Sequence, residues 1–186
     1  MTARFLILHG LASHRPPQHW QFLLAARLVE RGYGVGSPAL PDEDNPDLPS
    51  WLEVLRAELA ELGTEELTVV CHSLSCLLWF HAAKQNHDPV RRLLLVSPPD
   101  SAAVPDAAAS FRIAAFDPPP VAASAREIAI ACSDADPFNP GGAQAMYGDS
   151  LGITANVVPG GGHLIPATGY GPWPCTPPWS ASLASL

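Results

Sequence analysis

Residues able to carry out acyl transfer stand at the ends of three apolar runs, in the order serine, aspartate, histidine. Ser73 closes LTVVCHS, Asp134 and Asp136 follow EIAIACS, and His163 follows ITANVVP and the glycines 160–162. A serine hydroxyl is a weak nucleophile at neutral pH. It needs an adjacent base, and an imidazole base needs a third group to fix its tautomer. A reactive serine on a sharp strand-to-helix turn also needs small neighbours two residues away on each side, commonly glycines. Here Cys71 and Ser75 hold those positions, and both are small. The Leu74 N–H, at a helix start, is free to donate to an oxyanion. Gly10 lets the backbone after the first run present the Leu11 N–H as a second donor. The catalytic candidates are therefore Ser73, Asp136 and His163, with Leu11 and Leu74 as oxyanion donors. Asp134 and Asp100 compete with Asp136 for the acid role. Each candidate also has a structural alternative: a helix N-cap for Ser73, an Asp-Pro turn for Asp136, a loop position for His163. His9, His14, His19, His72, His81 and His87 are read as structural, with His72 pointing elsewhere than Ser73.

These residues need a scaffold that brings distant strand ends together. Strand-like runs occur at 4–10, 33–40, 67–73, 91–99, 127–134 and 153–159, most of them apolar throughout, as in strands covered on both faces. Helical patterns fall between them, at 19–32, 49–63, 73–88 and, more weakly, 139–150. Ser50 and Glu53 suggest a capping box for the second. The alternation predicts an α/β domain of three layers with a six-stranded, mostly parallel sheet in the order 2-1-3-4-5-6 and no cap domain. Ligands bind at the C-terminal edge of such a sheet, where all the candidates lie. Residues 100–126, rich in Ala and Pro, read as a loop with one short helix at most. The Gly- and Pro-rich tail 169–179 reads as irregular.

Composition narrows the partners. The chain has 186 residues, 47% of them hydrophobic, which predicts one globular domain with its own core. A net charge of −8 argues against nucleic acid or an anionic membrane as partner. The first apolar run is interrupted at His9-Gly10, below the length of a secretory segment, and no run approaches a membrane span, so a cytoplasmic protein is expected. Cys71, Cys76, Cys132 and Cys175 form no CxxC pair and read as buried free thiols. His14 and His19 lack carboxylates at ligand spacing, so neither a metal nor another cofactor is expected.

At LILHG with the later His19-Trp20 pair, VVCHSLSC, LLLVSPPD, SDADPF and GGGH followed by GYGPWP, the chain resembles the small serine hydrolases grouped with bacterial YdeN proteins and the human retinoblastoma-binding serine hydrolase. That resemblance spans nearly the whole chain and implies an α/β-hydrolase fold with Ser73, Asp136 and His163 at the triad positions. The Ser…Asp…His order agrees with that fold. The expected activity is hydrolysis of small acyl esters through an acyl-enzyme, with a small-molecule acyl substrate as partner. Two rival readings use the same residues: a binding module that kept the fold but weakened its chemistry, and a thioesterase or peptidase.

Overall fold

The computed structural model of the protein describes residues 3–85 and 87–171. Six strands, β1 (Arg4–Leu8), β2 (Gly34–Gly36), β3 (Leu67–His72), β4 (Val90–Val96), β5 (Ala125–Ser133) and β6 (Asn156–Val158), form one sheet in the order β2-β1-β3-β4-β5-β6. Every neighbouring pair is parallel, so the sheet is parallel throughout rather than mostly so. The helices are α1 (Trp20–Glu30), α2 (Leu48–Leu62), α3 (Leu74–Ala83), α4 (Pro118–Ala123) and the single turn α5 (Asp149–Leu151).

The strands are apolar on both faces because both faces are covered. Leu6, Leu8, Val69, Cys71, Leu93 and Leu95 pack with α2 and α3, while the alternating Phe5, Ile7, Val70, Leu94 and Val96 pack with Trp20 and Leu28 of α1. Helix α3 is buried on nearly every side, which its run of Leu, Trp, Phe and Ala permits. The two edge strands keep only three residues each, fewer than their apolar runs suggest. A short edge leaves few unpaired backbone groups open to another chain.

Other boundaries differ from expectation for local reasons. Strand β4 stops at Val96, because Ser97 adopts a positive φ of 46° and turns the chain out of the ladder. Helix α2 starts earlier than the proposed capping box. Its N-cap is Asp47, whose carboxylate accepts from the Ser50 N–H at 3.1 Å and the Ser50 hydroxyl at 2.9 Å. Residues 100–126 hold more helix than expected: two 3-10 segments, Ser101–Ala103 and Asp106–Phe111, and then α4. Cys175 and most of the tail 169–179 lie outside the described residues, as does residue 86. Cys71, Cys76 and Cys132 are buried free thiols.

Candidate active site

The nucleophile candidate sits on a strained turn. Between β3 and α3, Ser73 adopts φ 58° and ψ −124°, a conformation costly for a residue with a Cβ. The turn is over-determined. The Ser73 N–H donates to the Val96 carbonyl at 2.9 Å, tying it to β4. The Ser75 hydroxyl, fully buried, accepts from the His72 N–H at 2.8 Å and lies 2.9 Å from the carbonyl oxygens of Leu8 and His72, to one of which it donates. A serine where glycine is common thus braces the turn, its hydroxyl bonded to His72 and within hydrogen-bond reach of β1. On the other side, a Cβ on Gly10 would come within 2.7 Å of the Ser73 Cβ, so only glycine allows the first loop to approach the nucleophile. Ser75→Ala leaves the buried His72 N–H without its acceptor, a loss of about 2 kcal/mol. Thermal melting should show a midpoint lowered by roughly 4–8 °C; an unchanged midpoint would mean that Ser75 does not hold the turn.

Ser73 makes no capping bond with its side chain. Its hydroxyl meets His163 Nε2 at 2.7 Å instead, across 90 residues of sequence. His163 Nδ1 lies 2.9 Å from both oxygens of Asp136. A carboxylate only accepts, so Nδ1 carries the proton, and the Nε2 lone pair faces the serine hydroxyl. Asp136 and His163 are both buried. The acid is fixed by the Phe138 N–H, which donates to its Oδ1 at 3.0 Å, and its loop is tied to the end of β4 by the Asp100 N–H donating to the Phe138 carbonyl at 2.8 Å. The histidine loop turns sharply at Gly162, which has φ 56° and where a Cβ would come within 2.6 Å of Thr168. Trp20 anchors the far side of that loop, its indole N–H donating to the Leu164 carbonyl at 2.9 Å.

The competing acids have other work. Asp134 is exposed and accepts from the Gly160 N–H at 2.7 Å, shaping the glycine run. Asp100 caps the 3-10 segment Ser101–Ala103 by accepting from the Ala102 N–H at 2.9 Å. The nearby sulfurs are poor rivals for Ser73, since burial raises the pKa of both Cys71 and Cys76 and keeps them protonated.

Ser73 and His163 open onto a cavity of about 510 Å³, walled mainly by short apolar side chains, among them Leu11, Leu74, Ala103, Val104, Ile165 and Ala167. Leu11 and Leu74 therefore stand beside the nucleophile. As the first residue of α3, Leu74 has an N–H with no carbonyl behind it in the helix. Part of the Ala- and Pro-rich segment 100–126 contributes Ala103, Val104 and Pro105 to the wall.

Of the six histidines read as structural, two line this cavity. His19, the N-cap of α1, and His72, the residue before the nucleophile, both face it. Their type and position gave no signal of this, because it depends on how α1 folds back against β3. The other four lie elsewhere. His9 Nδ1 is 2.9 Å from the Gly10 carbonyl, and His9 Nε2 accepts from the Leu40 N–H at 3.0 Å. His14 pairs with Glu43 and Asp44 at the surface. His81 and His87 contact backbone carbonyls remote from Ser73. Among the described residues, no group of three His, Cys, Asp or Glu side chains could hold a metal ion.

A family model described as serine hydrolase matches residues 5–178. Among solved structures, the chain is similar to the ydeN gene product of Bacillus subtilis, with 22% identity and a TM-score of 0.81, covering 99% of this chain and 98% of that one. It is also similar to a putative YdeN-like hydrolase from Pectobacterium atrosepticum, at 21% identity and TM-score 0.71, covering 92% and 85% of the two chains. Est1E from Butyrivibrio proteoclasticus follows the same fold at 17% identity and TM-score 0.61, over 87% and 80%. At these identities the likeness is one of fold. No curated protein matches the chain.

Proposed function

Because the chain belongs to the serine hydrolase family, we propose that it hydrolyses small acyl esters, with Ser73 as nucleophile, His163 as general base and Asp136 as the orienting acid. The observation that carries this reading is the continuous hydrogen-bonded chain Ser73–His163–Asp136 at the wall of an apolar cavity. In the first half-reaction Ser73 Oγ attacks the ester carbonyl carbon as its proton passes to His163 Nε2. The Leu11 and Leu74 N–H groups hold the oxyanion. Collapse of the intermediate expels the alcohol, which takes the proton from Nε2 and leaves an acyl-serine. Water then attacks the acyl carbon as it gives a proton to the same nitrogen. Collapse of the second intermediate breaks the bond to Ser73 Oγ, which takes that proton back from Nε2 as the carboxylic acid leaves. Asp136 stays ionised throughout and stabilises the imidazolium. These steps need no cofactor.

The same cavity supports a preference for short acyl groups. Residues 103–105 and 165–167 line part of it, and the space must hold the leaving group as well. Each methylene that is fully buried contributes about 0.8 kcal/mol, and one left half in water contributes much less. Among the described residues no helix is long and apolar enough to cross a membrane, and a cytoplasmic setting is part of the proposal.

The test is labelling with a fluorophosphonate, followed by mass-spectrometric location of the adduct and a series of p-nitrophenyl esters. The adduct is expected on Ser73. Acetate and butyrate esters should be cleaved faster than decanoate or palmitate, with no jump in rate at the critical micelle concentration. Absence of any adduct and of any esterase activity would favour a binding module on the hydrolase fold. Rates that climb steadily to palmitate would overturn the short-chain preference.

A further inference from the structure

Beside the reacting serine, the cavity wall carries two neutral polar groups for which the described residues offer no partner. His19 Nδ1 accepts from the Gln21 N–H at 3.3 Å, so the ring's proton lies on Nε2. No described residue pairs with that Nε2–H. His72 has the complementary arrangement: its Nε2 is 3.1 Å from the His163 carbonyl oxygen, to which it must donate, leaving the Nδ1 lone pair without a partner. Both residues are buried, at 5% and 4% exposure, and both line the cavity with Ser73 and His163. Their ring centroids are 5.4 Å apart, so one small group can meet both. Neither ring is easily charged. Burial is the largest cause in each case: it lowers the His19 pKa to about 4 and the His72 pKa well below its ordinary value.

We propose that His19 and His72 form a polar subsite on the leaving-group side of Ser73, taking a neutral group that both accepts and donates a hydrogen bond: a hydroxyl or a primary carboxamide. The His72 ring lies 5.2 Å from that of His163, the group that must protonate the departing oxygen, so an alcohol receiving that proton has the subsite within reach. His19 Nε2–H donates to the substrate group and His72 Nδ1 accepts from it. A carboxylate would face the His72 lone pair, and an ammonium would face the His19 N–H. Buried polar groups of this kind favour a substrate that pairs them over an isostere that leaves them unpaired. The preferred esters are thus those of hydroxylated or amide-bearing alcohols.

This deepens the esterase reading and rests on it, and the test separates the two. Two isosteric esters serve as probes, 2-hydroxyethyl butyrate and propyl butyrate. The wild-type protein should show kcat/KM about tenfold higher for the hydroxylated ester, as expected for one or two net neutral hydrogen bonds. His19→Asn keeps a side chain suited to the α1 N-cap while withdrawing the Nε2–H, and it should bring the ratio towards one. In Ser73→Ala protein labelled with ¹⁵N-histidine, 2-hydroxyethyl butyrate should move the His19 and His72 ring resonances, and propyl butyrate should move them much less. Equal kcat/KM values for the two esters, or a ratio unchanged in His19→Asn, would overturn the subsite and leave the esterase reading standing. If neither ester is cleaved and no fluorophosphonate adduct forms, the esterase reading fails, and the ¹⁵N comparison still decides whether the two rings bind the hydroxylated probe.

Discussion

Ser73→Ala is expected to lower kcat for p-nitrophenyl butyrate by about 10⁶ and to abolish fluorophosphonate labelling while leaving the protein folded. The size follows from the kind of contribution lost. Without the hydroxyl no acyl-serine forms, and His163 has no nucleophile to deprotonate. What remains is the positioning of substrate by the cavity and the oxyanion donors, which typically leaves 10³–10⁴ over the uncatalysed rate. The fold should survive because the Ser73 side chain makes no capping bond, and its hydrogen bond to His163 is not what holds the turn. The Ser73 N–H to Val96 and the Ser75 hydroxyl hold it, and both remain in the variant. Far-ultraviolet circular dichroism and a thermal midpoint within about 2 °C of wild type would show that the loss is chemical. Labelling that persists, with the adduct on Ser75, would reverse the assignment. The structure opposes that outcome, since Ser75 is fully buried and its hydroxyl is held against β1.

The sheet was readable from its strands because a parallel sheet covered on both faces needs strands apolar at every position, and runs such as LTVV and LLLV have few other uses. The triad candidates were readable for a related reason, each lying at the exit of such a run. What could not be read depends on distant packing. His19 and His72 come together across 53 residues only when α1 lies back against β3. In the sequence one is a plausible N-cap and the other merely the neighbour of a serine. Within 100–126, which reads as a loop with room for one short helix, the Pro118-Pro119-Pro120 run hides where a helix starts. Yet proline suits the first turn of a helix, where its missing N–H costs nothing, and α4 begins there. The expected span 49–63 lies within one residue of α2, but Asp47 and not Ser50 caps it, and both residue types are good caps. Pro49 is compatible with the start after Asp47, since proline is tolerated within the first turn of a helix.

Asp136→Asn should cost on the order of 10⁴ in kcat, a loss second only to that of the serine. The carboxylate does two things an amide cannot. It accepts from His163 Nδ1–H through either oxygen, both at 2.9 Å, which keeps the lone pair on Nε2 pointing at the serine. It also supplies a negative charge beside the imidazolium that forms in the transition state, in a buried site where that charge is poorly screened. An asparagine presenting its NH₂ to Nδ1 would reverse the tautomer and aim an N–H at the serine oxygen. One presenting its oxygen would keep the tautomer but lose the charge. Asp134→Asn and Asp100→Asn keep an oxygen able to accept from the Gly160 and Ala102 N–H groups they now serve, so each should cost less than tenfold. The three variants, assayed side by side with wild type for kcat and for fluorophosphonate labelling rate, form one comparison. A large loss confined to Asp134 or Asp100 would move the acid there, and equal losses at Asp134 and Asp136 would mean that the glycine loop and the acid act as one unit. Asp136 is held by the Phe138 N–H and by His163 Nδ1, and the Phe138 carbonyl is bound by the Asp100 N–H, so neither the Asp134 nor the Asp100 side chain takes part in fixing the acid. The neighbouring substitutions should therefore leave its position intact, and the loss should fall on Asp136.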